Sequence, residues 1–225
     1  MKTTTNKKTK IAQYSVLALA ASAVLPVACN KDDDDKVTDD PLITYVKIDS
    51  VLTQTDLDAQ VEYIDLNNDG IDDFRMYTDV DSNSSKVKVY SGVYADNTTR
   101  AAILSKKITG DFFLDGSTSD KYFNLAKNSG DVVNASQSIW FNGKVSSEVG
   151  GFTQIFTKAG VTVSDQAGDF AGKGDKFIGV RFKDGASANH YGWLKVNLSA
   201  NGRVLRVVDG AYHVTPDAEI KVGAK

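Results

Sequence analysis

Residues 191–209 read YGWLKVNLSANGRVLRVVD, and the fold class turns on this stretch. Two apolar-rich runs, 191–198 and 204–209, flank Asn201-Gly202. Asn-Gly tolerates the positive backbone angles of a two-residue hairpin turn, so the stretch reads as two antiparallel strands. Lys195-Val196-Asn197-Leu198 alternates polar and apolar residues, as a strand with one covered face does. Lys86-Val87-Lys88-Val89-Tyr90 alternates in the same way. Working outward, short segments of this kind recur from Pro41 onward, broken by Asp, Gly and Asn. Strands are expected at 43–49, 60–64, 73–78, 86–90, 100–104, 138–141, 153–157 and 176–182, besides the two above. No stretch of 12 residues carries a helical period, and 121–128 is the one candidate for a short helix. Residues 158–175 read as a long surface loop. Short strands joined by Asp/Gly turns predict an all-β protein, an antiparallel β-sandwich or jelly roll, with residues 42–225 as a single domain.

The acidic residues agree with this reading. Of 29, 26 are Asp and only Glu62, Glu148 and Glu219 are Glu. Asp competes with helix backbone for hydrogen bonds and favours turns. With 41% hydrophobic and 24% charged residues in 225, the chain is neither disordered nor a membrane bundle. Its net charge of −3 falls to −7 once the four lysines of the first ten residues are removed. No basic stripe is present, so a nucleic-acid partner is not expected. A single Cys and two His exclude an intrachain disulfide and any multi-Cys or His-rich metal site.

Residues 1–10 carry Lys2, Lys7, Lys8 and Lys10, and 11–28 are apolar and small. This is the basic and apolar pattern of a secretory signal, so 1–28 are expected to be cleaved. The chain's one Cys, Cys29, follows Leu25-Pro26-Val27-Ala28 directly. The arrangement resembles a bacterial lipobox, although Pro26 stands where Leu is usual and Leu25 lies one place early. The resemblance implies that Cys29 is lipidated and becomes the first residue. Several acyl chains anchor stably where one binds only marginally. Lys31-Asp32-Asp33-Asp34-Asp35 then resembles the export signal of Bacteroidetes-type surface lipoproteins. That implies an outer-membrane, surface-exposed location, with residues 29–41 forming the lipidated Cys and an acidic tether too polar to pack.

The sharpest motif is Asp65-Leu66-Asn67-Asn68-Asp69-Gly70-Ile71-Asp72-Asp73. Side-chain oxygens of Asp65, Asn67, Asp69 and Asp73 and the backbone carbonyl of Ile71 fall at calcium-ligand spacing, and Gly70 permits the turn between them. Met76 stands where an EF-hand places Glu, and the flanks read as strands. The loop thus resembles the Asp-rich hairpin loops of FG-GAP and related extracellular β-repeats, which implies bound Ca²⁺ in a structural role. The alternative is an acidic hairpin turn that binds nothing. Asp79-Val80-Asp81-Ser82-Asn83 lacks the Gly and reads as a turn.

His190-Tyr191-Gly192-Trp193 is the second feature. Together with Gly179-Val180-Arg181-Phe182 and Ala211-Tyr212, after the early Asp-rich loop, it resembles a group of secreted bacterial β-proteins over most of residues 60–215. Gly210 and His213 depart from that pattern. The resemblance implies a fold and no reaction. Alternation places Tyr191 and Trp193 on one strand face and His190 and Gly192 on the other. A Gly inside a strand marks close approach of a neighbour. The segment reads as a packed core signature, or else His190, Tyr191 and Trp193 form a ligand platform for a sugar ring. Arg181 is expected to pair with a sheet-face carboxylate such as Asp209.

The chain lacks a Cys available as nucleophile and a G-x-S-x-G elbow, so no catalytic residues are assigned and the protein is read as a non-enzyme. The leading expectation is a surface-anchored lipoprotein with a calcium-stabilised, non-catalytic β-domain in a structural, adhesive or ligand-capturing role. Its partners would be the membrane, through the lipid, and a glycan or surface protein. A carbohydrate-binding lipoprotein is one alternative. An Asp-dependent glycoside hydrolase is another.

Overall fold

The computed structural model describes residues 5–7, 40–55, 57–83, 87–111, 118–143, 149–158, 161–165, 169–185 and 188–225. In chain order the strands are β1 (Thr5–Lys7), β2 (Ile43–Thr53), β3 (Gln60–Ile64), β4 (Phe74–Ser82), β5 (Val87–Ala95) and β6 (Ala101–Asp111). Then come β7 (Thr118–Asn124), β8 (Ala126–Lys127), β9 (Val132–Val133), β10 (Trp140–Phe141), β11 (Val149–Gly151) and β12 (Thr153–Lys158). The last are β13 (Val161–Asp165), β14 (Asp175–Lys183), β15 (Asn189–Leu198), β16 (Val204–His213) and β17 (Ile220–Lys221). Each of the ten expected segments contributes to one of these strands. No helix occurs among the described residues.

One sheet runs β1-β3-β4-β5-β12-β13 and the other β11-β7-β6-β14-β15-β16-β2, with β10 on β6 and β8 on β14. β1 on β3 and β11 on β7 are parallel, and the remaining ladders are antiparallel. The two sheets face each other across one core. Ile64, Phe74, Met76 and Val93 come from the first sheet, and Ile178, Val180, Phe182, Leu194, Val196 and Leu205 from the second. Each fully buried side chain of this size stabilises by ~1.5–3 kcal/mol relative to its exposed state. The protein is therefore an all-β, antiparallel sandwich.

The hairpin at 191–209 forms, but its turn is longer than two residues: Ser199 N donates to Val204 O at 2.9 Å, residues 200–203 make the connection, and Gly202 but not Asn201 takes a positive φ. Gly202 takes φ 71°, Gly202 N donates to Ser199 O at 2.9 Å, and Asn201 Oδ1 accepts from the Ser199 hydroxyl at 2.7 Å. Leu194, Val196 and Leu198 point into the sandwich, and so do Leu205 and Val207 opposite them. Val208 is then skipped in the ladder: Val196 pairs with Val207 and Lys195 with Asp209. Such a bulge reverses the alternation. Beyond it Gly210 and Tyr212 turn inward, and Asp209 and Ala211 turn outward.

The outward face of the second sheet carries a second core. Tyr191, Trp193 and Ala211 are covered by Val133, Ile220 and Val222. Those residues belong to the small β9–β17 sheet and the C-terminal segment, closed by Val222 N to Asp131 O at 2.8 Å and Asp40 N to Lys225 O at 3.0 Å.

Three expectations are corrected. Residues 121–124 and 126–127 are strand, because β7 completes its backbone hydrogen bonds on β6 with Ser105 opposite Asn124 and β8 pairs with β14. An isolated helix that short is marginal in water. The 158–175 segment is not a loop throughout: β13 pairs with β12, and Phe170 is buried against Phe152 at 4.4 Å between ring centroids. Asp79 to Ser82 continue β4 rather than turning. Asp79 is buried and accepts hydrogen bonds from the hydroxyls of Tyr77 and Tyr90 at 3.0 and 2.7 Å, while Asp81 pairs with Lys88 at 3.3 Å.

Gly192 shows why its position admits no side chain. A Cβ there would lie 2.6 Å from the Ala211 carbonyl oxygen and 3.2 Å from Tyr212 Cβ. Backbone cannot retreat as a flexible side chain can. Gly192→Ala is expected to destabilise by ~1–3 kcal/mol, the usual range for overpacking. Urea denaturation checks it; an unchanged midpoint would mean that the β15–β16 ladder yields freely.

Candidate functional site

The Asp-rich loop connects β3 to β4 at one end of the sandwich. Asn68 and Gly70 adopt φ 58° and 86°, the left-handed conformations that Asn tolerates and Gly adopts without penalty. These two residues curl the chain around Asp65. Asp65 Oδ2 accepts from Gly70 N at 2.7 Å and Oδ1 from Asp69 N at 3.2 Å. Asn67 Oδ1 accepts from Asp69 N at 3.1 Å, and Asp69 Oδ1 from Ile71 N at 2.9 Å. The Ile71 side chain projects into solvent. Asp73 closes the loop: its Oδ2 accepts from Leu66 N at 3.1 Å.

Asp73 is the unusual member. It is 1% exposed, and its Oδ1 is buried with no hydrogen-bond partner among the described residues. Burial pushes its pKa up to about 7; the Leu66 N–H opposes this, and the Asp65 and Asp69 charges add to it. An unsatisfied buried carboxylate oxygen is costly, and a cation removes that cost.

Arg100 supplies part of the compensating charge. Its Nη2 contacts Asp69 Oδ2 at 2.7 Å and donates to Lys183 O at 2.7 Å. Burial raises the Asp69 pKa, but hydrogen bonds from Arg100 and the Ile71 N–H outweigh it and hold the carboxyl below its usual range. No three His, Cys, Asp or Glu side chains among the described residues stand grouped as a ready-made metal cage. The loop carboxylates instead accept from their own backbone. An ionised carboxylate has about four lone-pair sites, so one N–H bond leaves acceptors for a cation. The donor set is all oxygen and suits a hard cation.

The His190-Tyr191-Gly192-Trp193 segment is packed, and no platform is formed. Trp193 is 1% exposed, edge-on to Phe177 at 5.4 Å and tilted against Tyr45 at 6.4 Å. Tyr191 is 2% exposed beneath Trp140. His190, on the opposite strand face, stacks on Phe182 at 5.5 Å; its Nδ1 lies 3.0 Å from His213 O and its Nε2 3.3 Å from Asp184 Oδ2. A sugar cannot stack on rings whose faces are already covered.

Arg181 is also relocated. It lies over the Trp140 ring at 5.0 Å and not beside Asp209, which accepts the Tyr45 hydroxyl at 2.8 Å. The Tyr45 pKa is raised to about 12 by burial and by that carboxylate. The contribution of Arg100 to the loop was not legible in the sequence, since 31 residues separate it from Asp69 and no local motif marks it. Cys29, Lys31 and Asp32 to Asp35 lie outside the described residues. No protein-family model, curated protein or solved structure matches this chain.

Proposed function

We propose that the protein is a surface-anchored outer-membrane lipoprotein whose β-sandwich is stabilised by Ca²⁺ in the 65–73 loop and serves a non-catalytic, ligand-capturing or adhesive role. The observation that carries the metal reading is the buried, unpartnered Oδ1 of Asp73 inside a loop of four carboxylates. Asp65, Asn67, Asp69 and Asp73 would hold the ion with the Ile71 carbonyl, and Asp69 would exchange Arg100 for it. The ion's role would be to neutralise the loop and hold β3 against β4. Calorimetric titration of the purified full chain with CaCl₂ tests this. One site, lost in Asp73→Asn, is the expected result; the absence of any calcium heat overturns it.

The anchor reading rests on the sequence from Lys2 to Cys29 and on the acidic residues that follow. Cys29→Ser is expected to move the protein from the membrane fraction to the soluble one and to abolish incorporation of a fatty-acid analogue. Membrane retention with undiminished labelling would overturn it. The carbohydrate-binding alternative can no longer rest on Trp193, which is covered. The hydrolase alternative has no observation in its favour.

A further inference from the structure

The second sheet ends in a cavity of about 340 Å³ lined by Arg100, Arg181, Lys183, Thr98, Asn142 and Asn189, among others, with no carboxylate among the described residues of its wall. The register explains how three cations meet there. Arg181 and Lys183 lie two residues apart on β14, so both project from one face, which is the outward one since Val180 and Phe182 face the core. Lys183 N donates to Arg100 O at 2.8 Å, which sets Arg100 at the start of β6 beside them. Arg100 is partly neutralised by Asp69. Arg181 and Lys183 have no carboxylate partner among the described residues. The Arg181 guanidinium carbon lies over the Trp140 ring at 5.0 Å from its centroid, a cation–π contact that restrains the position of its donors. Trp140 in turn is held by Tyr191 at 5.7 Å, so the cation sits on a rigid support.

We infer that this cavity is a binding site for an oxyanion-bearing ligand, a compact carboxylate, sulfate or phosphate group received by Arg181 and Lys183 with Arg100 behind them. A cavity of this size stands at the lower end of small-molecule sites, which run from ~300 to 1,000 Å³, and suits one acidic sugar or a free inorganic anion. Like cations held close on a net-acidic protein cost energy that a bound anion removes, and a guanidinium fork matches two anion oxygens at once. The inference does not depend on an ion in the 65–73 loop.

Calorimetric titration of the purified full chain at low ionic strength tests it, with sodium sulfate, sodium phosphate, sodium glucuronate and neutral glucose as probes. Saturable binding of at least one anion, millimolar or tighter, is expected, and none of glucose. Glucuronate binding more tightly than the inorganic ions would identify an acidic sugar as the source; the reverse order would identify a free inorganic anion. The double variant Arg181→Gln/Lys183→Gln should weaken binding by about tenfold or more. Asn142→Asp, at an exposed position, should weaken it as well by adding a negative charge to the wall. No saturation by any anion up to roughly 20 mM, above which salt screens the site strongly, would overturn the proposal. So would undiminished binding in both variants.

Discussion

Trp193→Ala is expected to lower the unfolding free energy by ~3–5 kcal/mol, the usual cost of truncating a buried Trp or Phe to Ala. The indole is 1% exposed and fills the centre of the outer core, against Phe177 and Tyr45 and beneath the β9–β17 cover. Its neighbours sit on a ladder fixed by backbone hydrogen bonds and cannot collapse into the space. Total stabilities of domains are ~5–15 kcal/mol, so the variant approaches the limit of folding. Urea denaturation of wild type and variant measures the difference. A loss below ~1 kcal/mol, outside the range for a buried large side chain, together with abolished binding to a glycan would restore the platform reading of this residue and displace the packing one.

Saturating calcium is expected to stabilise the fold by about 2.7 kcal/mol at a hundredfold excess over Kd, read as a rise in melting temperature that a chelator reverses. Asp73 gives the effect a pH signature. Its folded pKa, near 7, stands above its ordinary value. Without metal, the folded state therefore holds a proton that the unfolded state has already lost. Stability is then full below the unfolded pKa, falls as pH rises from about 4 to 7, and levels off beyond. A bound cation favours the ionised carboxylate, so calcium should flatten this slope and bind more tightly as pH rises through 7. Asp73→Asn should lose both the calcium response and the slope, and Asp69→Ala should lose the calcium response. Asp81→Ala, on β4 and paired with Lys88, should keep the calcium response. A melting temperature indifferent to calcium and chelator in the wild type would reduce the loop to an acidic turn closed by Arg100.

The strands were legible because alternation and turn chemistry are local properties. Asn201-Gly202, the Val180/Phe182 alternation and the Leu194/Val196/Leu198 alternation each act over a few residues. The 121–128 segment was misread for the opposite reason. Lys121-Tyr122-Phe123-Asn124 has no decisive local preference, and its ladder partner, Ser105 to Ile108, lies some distance back in the chain. Phe170 shows the same limit: nothing near it in sequence indicates that Phe152 will meet it.

The sequence by itself determined the all-β class, the hairpin of β15 and β16, the close approach at Gly192 and the curl of the 65–73 loop. It also places a basic and then apolar stretch, a lone Cys and a run of Asp ahead of the body. Tertiary structure alone decided which aromatic rings are covered. The alternation puts Tyr191 and Trp193 on one face, but only the return of β17 against β9 buries that face. Tertiary structure likewise brought Arg100 to Asp69 and set Arg100, Arg181 and Lys183 around one cavity. Side-chain direction follows from the two-residue period of a strand and can be read along the chain. What a side chain meets depends on pairings between distant segments, and those are set by how the whole chain buries its apolar surface.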